Sequence, residues 1–128
     1  MSRPSLHRKV LVVDDEPNIV KAVDFLLSKN GFITQKAYNG MEALGYIDTF
    51  KPDLIVLDVM MPGMDGFQVA KNIRTNPANA DILIIFLTAK GTSRDKMQGY
   101  DLGGDIYITK PFDNDQLVQA VSETLTYG

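Results

Sequence analysis

Four short apolar runs in this chain stop on a group that could do chemistry. Val10-Leu11-Val12-Val13 runs into Asp14-Asp15, and Leu54-Ile55-Val56-Leu57 ends on Asp58. Ile82 to Leu87 is followed by Thr88, and Ile106-Tyr107-Ile108-Thr109 by Lys110. Three carboxylates drawn into one pocket repel each other unless a cation joins them. An all-oxygen donor set with no His or Cys in the pattern suits a hard divalent ion such as Mg2+. Lys110 brings a second positive charge and Thr88 a hydroxyl. Metal, ammonium and hydroxyl around one carboxylate are the parts needed to attack phosphorus and stabilise charge on its equatorial oxygens. Asp58 is the expected nucleophile, and an acyl phosphate the expected product.

Those groups meet only if the runs are neighbouring strands of a parallel sheet. Leu54 to Leu57 is continuous, apolar and rich in β-branched residues, as in a strand buried on both faces. It drops into the Pro/Gly loop Met61-Pro62-Gly63-Met64-Asp65-Gly66. After Asp14-Asp15-Glu16, Pro17 suits a first helical turn and the acids suit the positive end of the helix. Ile19, Val23, Leu26 and Leu27 fall on one face of that helix, and Asn30-Gly31 stops it. Phe32 to Ala37 reads as an edge strand. Asn39 with Glu42, and Asp65 with Gln68, have capping-box spacing before two further helices.

Thr92 to Leu102 is expected to be a fourth helix and the least secure one, with Gly99 inside it. Asp113 and Gln116 open the last helix, whose buried face is Leu117, Ala120, Val121, Thr124 and Leu125. Five strand–helix units with short connections specify a doubly wound α/β sheet with right-handed crossovers. Its sites lie at the carboxyl ends of the strands. The second strand ends on Lys36-Ala37-Tyr38, without a comparable group, so it is placed at the edge, giving strand order 2-1-3-4-5.

Composition bounds the function. The chain has 128 residues, 45% of them hydrophobic, enough for one domain with a sizeable core. A net charge of −3, with no basic run, argues against nucleic acid or an anionic membrane as a direct partner. There is no cysteine, hence no disulfide or thiolate metal site. No apolar run approaches membrane-spanning length. A soluble, cytoplasmic chain is expected, with residues 1–7 as a flexible lead-in that gives His7 no role.

Taken together, four motifs resemble the receiver domain of bacterial two-component response regulators. They are Asp14-Asp15-Glu16, Leu57-Asp58-Val59-Met60-Met61-Pro62-Gly63-Met64-Asp65-Gly66, Leu87-Thr88-Ala89 and Thr109-Lys110-Pro111-Phe112. They stand in order, with 30 residues from Asp58 to Thr88 and 22 more to Lys110. The resemblance covers essentially residues 1–128 as one receiver domain and implies a flavodoxin-like (βα)5 fold.

It further implies that Asp58 accepts a phosphoryl group from a phosphohistidine on a sensor histidine kinase or histidine phosphotransfer protein. Asp15, Asp58 and the backbone carbonyl of Met60 would bind Mg2+, with Mn2+ as a substitute and Asp14 acting through water. Lys110 would pair with a phosphoryl oxygen, and the Lys110–Pro111 peptide would be cis. Thr88 would turn toward the phosphoryl group and Tyr107 swing inward. Those movements would repack the face of fourth helix, fifth strand and last helix, which an output domain or partner protein reads. The chain would be no enzyme with a separate product. It would promote only its own phosphorylation and dephosphorylation, as a monomer or weak dimer.

Some positions depart from the family pattern. The last helix has no Lys or Arg between Asn114 and Gly128, which puts in doubt the salt-bridged dimer of DNA-binding winged-helix regulators. Gly103-Gly104-Asp105 has Gly where the family often has Ala. The end on Thr126-Tyr127-Gly128 leaves a stand-alone regulator and a receiver cut from a longer protein both open, the fragment being favoured. The cognate kinase and the output are not legible.

Two other functions use similar parts. An aspartyl-nucleophile phosphatase would carry a second acid where Met60 stands. A phosphorylation-independent interaction module would be expected to have lost one of Asp15, Asp58, Thr88 or Lys110. In the resembled family the positions two residues after the phosphoacceptor and after the strand-end Thr influence access of hydrolytic water, and here they are Met60 and Lys90. Their size and charge are expected to give slow to intermediate loss of phosphate. Lys90→Ala should therefore change the phosphoryl lifetime in a decay assay, and an unchanged lifetime would remove Lys90 from that role.

Overall fold

A computed structural model describes residues 8–89 and 106–127. Five parallel strands form one sheet in the order β2-β1-β3-β4-β5: β1 Lys9–Val13, β2 Ile33–Ala37, β3 Leu54–Asp58, β4 Leu83–Ala89 and β5 Ile106–Lys110. The helices are α1 Pro17–Lys29, α2 Gly40–Thr49, α3 Gly66–Arg74 and the last helix, α4, Asn114–Tyr127. The expected helix over 92–102, Lys90, Gly103-Gly104-Asp105 and the lead-in 1–7 lie outside the described residues.

The expected architecture and strand order are those found, with small shifts at strand ends. Ile82 is not in β4. Its N–H bonds the Asn79 carbonyl, in the turn that follows the 3-10 helix Pro77–Asn79. At the other end β4 runs on through Thr88 and Ala89, because Ala89 pairs with Lys110 in the ladder. Thr88 and Lys110 are thus ladder residues and not loop residues beyond it.

Strand alternation sorts the core into two layers. Leu11, Val13, Ile55, Leu57, Ile84 and Phe86 face α2 and α3. Val10, Val12, Leu54, Val56, Ile85 and Leu87 face α1 and α4. β3 is buried along its whole length, as its unbroken apolar sequence requires. The α1 face is Val20, Val23 and Leu27, with Ile19 and Leu26 packed at its margin. On α4, Leu117, Val121, Thr124 and Leu125 are buried, and Ala120 packs at the margin.

Local chemistry fixes the ends of the elements. Asn39 accepts the Glu42 N–H at 2.9 Å, and Glu42 returns a carboxylate to the Tyr38 N–H at 2.7 Å. Asp65 and Gln68 form the reciprocal capping box, both bonds at 2.9 Å. Gly31, at φ 95°, ends α1 while the Phe32 N–H reaches back to the Leu27 carbonyl.

Gly66 is required by space and not by φ. A Cβ there would collide with the Asp58 carbonyl oxygen and crowd Val59 Cα, since α3 starts directly against the end of β3. Gly66→Ala should destabilise the protein by about 2–4 kcal/mol in chemical denaturation. Gly45, inside α2 with nothing within 4 Å of a built Cβ, is the opposite case. Gly45→Ala should stabilise by about 0.5–1 kcal/mol. Equal effects at the two sites would contradict this packing account.

Candidate functional site

Parity decides which side chains can meet at the carboxyl edge of the sheet. Asp58 continues the alternation of Leu54 and Val56, Lys110 that of Ile106 and Ile108, and Asp14 that of Val10 and Val12, so all three belong to the α1/α4 face. One oxygen each from Asp14, Asp15 and Asp58 lies within 4.8 Å of the others. Asp14 is fully buried, Asp58 is 3% exposed, and Asp15 opens to solvent.

Lys110 reaches back into this cluster. Its Nζ stands 3.2 Å from Asp58 Oδ1, to which it donates a hydrogen bond, and 2.9 Å from Asp14 Oδ2. The same ammonium therefore pairs with both buried carboxylates. Asp14 Oδ1 accepts the Glu16 N–H at 3.0 Å, and the Asp14 N–H bonds the Ala37 carbonyl at 3.3 Å. The Lys110–Pro111 peptide is cis.

Negative charge exceeds what one ammonium balances. Burial, and then the charge of Asp14, push the Asp58 carboxyl up to about 7, against the pull of Lys110. Burial would lower the Lys110 ammonium, but Asp14 and Asp58 outweigh it and raise its pKa above the ordinary value. A hard divalent cation fits this donor set. All donors are oxygens, one carboxylate faces solvent, and the two buried carboxylates share one ammonium.

Thr88 and Tyr107 fall on the other face. Thr88 is 1% exposed, and its Oγ1 has no hydrogen-bond partner among the described residues. Tyr107 is half-buried and stacks on Phe86, centroids 5.3 Å apart and planes at 21°. Phe86 in turn meets Phe67 of α3 at 5.2 Å. Met60 is 66% exposed and lines, with Glu16, Ile19, Ala89, Pro111 and Phe112, a cleft of about 540 Å³ above Asp58. Of the expected site residues, Asp14, Asp15, Asp58 and Lys110 come together and Met60 sits at the rim. Thr88 and Tyr107 sit behind on the α2/α3 side, and Lys90 lies outside the described residues.

Sequence reasoning placed Glu16 in the Asp14-Asp15-Glu16 motif at the start of α1 but gave it no role of its own. The structure brings its Oε1 to 3.8 Å from Lys110 Nζ. No helix among the described residues is long and apolar enough to cross a membrane.

In the metal-free protein the folded state holds a proton on Asp58 up to about pH 7, whereas the unfolded chain releases it near 3.8. Folding therefore binds a proton in this window, and stability falls as pH rises through it. Thermal melts in chelator should show a loss on the order of 2–3 kcal/mol between pH 5 and 8. Asp58→Asn should flatten that slope and melt higher at pH 8. A wild-type slope of opposite sign would refute the charge excess.

Comparison with known proteins agrees with the geometry. The family described as response regulator receiver domain matches residues 10–122. The DNA-binding dual master transcriptional regulator RpaA of Synechocystis is 39% identical over 117 residues, 91% of this chain but 48% of that protein. The chain thus spans about half the length of that curated relative. Among solved structures, the chemotaxis protein CheY4 of Vibrio cholerae superposes with TM-score 0.88 at 30% identity, covering 92% of this chain and 98% of that one. The receiver domain of the Francisella response regulator 1452 gives 0.84 at 37% identity, covering 93% and 97%.

Proposed function

Because the chain belongs to the family of response regulator receiver domains, we propose that residues 1–128 act as one receiver unit and that Asp58 is its phosphoacceptor. The observation that carries this is the buried Asp58 carboxylate, held against Lys110 beneath an open cleft and beside two further acids. A Asp58 carboxylate oxygen attacks phosphorus and the new O–P bond forms. The N–P bond of a partner's phosphohistidine breaks, and the electron pair leaves with the imidazole nitrogen. Asp14, Asp15 and Asp58, with the Met60 carbonyl, would hold Mg2+. When bound, that ion neutralises the clustered carboxylates and the charge on the phosphoryl oxygens.

The chain's own groups do the rest. Lys110, freed from Asp14, pairs with a phosphoryl oxygen. Burial of Asp58 keeps water from competing. Thr88, whose buried hydroxyl has no hydrogen-bond partner among the described residues, turns toward the new acceptor oxygens. Tyr107, on the same face two residues from Thr88's ladder partner Thr109, follows into the space vacated. That repacking is read by a partner protein or an output domain, and Met60 and Lys90 set the phosphoryl lifetime. The reaction modifies the chain itself and has no separate product. The donor is a cytoplasmic histidine kinase or phosphotransfer protein.

Incubation with acetyl phosphate or phosphoramidate, followed by intact mass, tests the reading. We expect a gain of one phosphoryl group that needs Mg2+, is labile to base and is absent in Asp58→Asn. Lys110→Ala should slow the gain by roughly 10-fold or more. No adduct under any of these conditions would leave the family and fold standing and remove the phosphoacceptor role.

A further inference from the structure

We infer that Glu16 is a specificity-determining residue of the cleft: its carboxylate competes with the incoming phosphoryl group for Lys110 and so discriminates donors by their negative charge. The inference rests on the phosphoacceptor reading of Asp58 and deepens it. Glu16 occupies the N-cap of α1, where a short polar side chain would ordinarily accept a backbone N–H of the first turn. The Glu16 side chain makes no such bond. Pro17 follows it, removing one N–H from the turn. The backbone is nonetheless fixed. The Glu16 N–H holds Asp14 Oδ1 at 3.0 Å, and its carbonyl accepts from Ile19 and Val20 at 3.0 and 3.1 Å.

A carboxylate on an anchored backbone, with no part in capping, is left to reach over the cleft. Its Oε1 stands 3.8 Å from Lys110 Nζ, its side chain is 61% exposed, and it lines the same cleft as Asp58. It is not one of the three acids placed for a metal. Lys110 thus faces three carboxylates, of which Asp14 and Asp58 belong to the buried cluster and Glu16 alone stands in solvent. A donor entering the cleft meets Glu16 first. Each negative charge it carries is repelled there and must displace Glu16 from Lys110. The cost rises with donor charge and is screened by salt, because Glu16 is exposed.

The test follows Asp58 phosphorylation of the full chain at saturating Mg2+, with acetyl phosphate and with the less negatively charged phosphoramidate. With acetyl phosphate the Asp58 O–P bond forms as the donor's acyl O–P bond breaks, and acetate leaves with the electron pair. Glu16→Gln should speed this reaction about 3- to 10-fold at low ionic strength. The gain should shrink to within about 2-fold near 1 M salt, where screening acts over roughly 3 Å. Phosphoramidate should gain less than acetyl phosphate, and Glu16→Asp, which keeps the charge at the mouth, should stay near wild type. An unchanged Glu16→Gln rate overturns the role, as does an equal gain for both donors at both ionic strengths, the mark of a merely structural change. If the wild type itself takes no phosphoryl group, the phosphoacceptor reading falls and the role falls with it. An adduct on the wild type with no Glu16 effect overturns the role alone.

Discussion

The structure depends on a cluster of carboxylates taken out of water against a single ammonium. Asp14 and Asp58 are both essentially buried, and one Lys110 Nζ touches both. Two buried carboxylates sharing one cation do not balance, and burial leaves little water to make up the difference. The deficit appears as an Asp58 carboxyl pushed up to about 7 by burial and the charge of Asp14, against the pull of Lys110. Such a site gains by admitting more positive charge. A divalent cation would supply it, and in the proposed function the same imbalance would help draw a phosphoryl group onto Asp58.

The fold holds this imbalance in place because the cluster is built on two central strands, β1 and β3, and the edge strand β5 of a sheet covered on both sides. β3 has no exposed residue, and Gly66 lets α3 press against its final carbonyl. Alternation then does two jobs at once. It places Asp14, Asp58 and Lys110 on one face, and Thr88 with Tyr107 on the other. The strand pair Thr88–Thr109 lies between the Asp58 cluster and the aromatic packing on the opposite face. The stack Phe67–Phe86–Tyr107 links that position to α3.

Much of this was legible from residues alone. The unbroken apolar run Leu54 to Leu57 required a doubly covered strand, and its terminal Asp58 required a site at the strand end. The edge place of β2 followed from the lack of a comparable group after Ala37. Caps at Asn39 and Asp65 are local and carried by spacing: Asp65–Gln68 forms the full reciprocal box, while at Asn39 the Glu42 carboxylate takes the Tyr38 N–H instead of the Asn39 N–H. What spacing could not carry is tertiary. The need for Gly66 arises from a neighbouring carbonyl, and nothing in its sequence context marks it. Glu16 looked like any acid at a helix start, and only three-dimensional closure brings it to Lys110, far along the chain. The extension of β4 to Ala89 is likewise set by its partner strand, since Ala89 has no strand signal of its own.

Residue-specific carboxyl 13C NMR of Asp58 across pH, with and without Mg2+, tests the central claim most directly. We predict that metal-free Asp58 titrates near 7, far above the ordinary 3.8. Saturating Mg2+ should pull that titration down by at least about one unit as the added charge satisfies the cluster. A metal-free Asp58 that titrates near 3.8, and does not move when Mg2+ is added, would contradict the account.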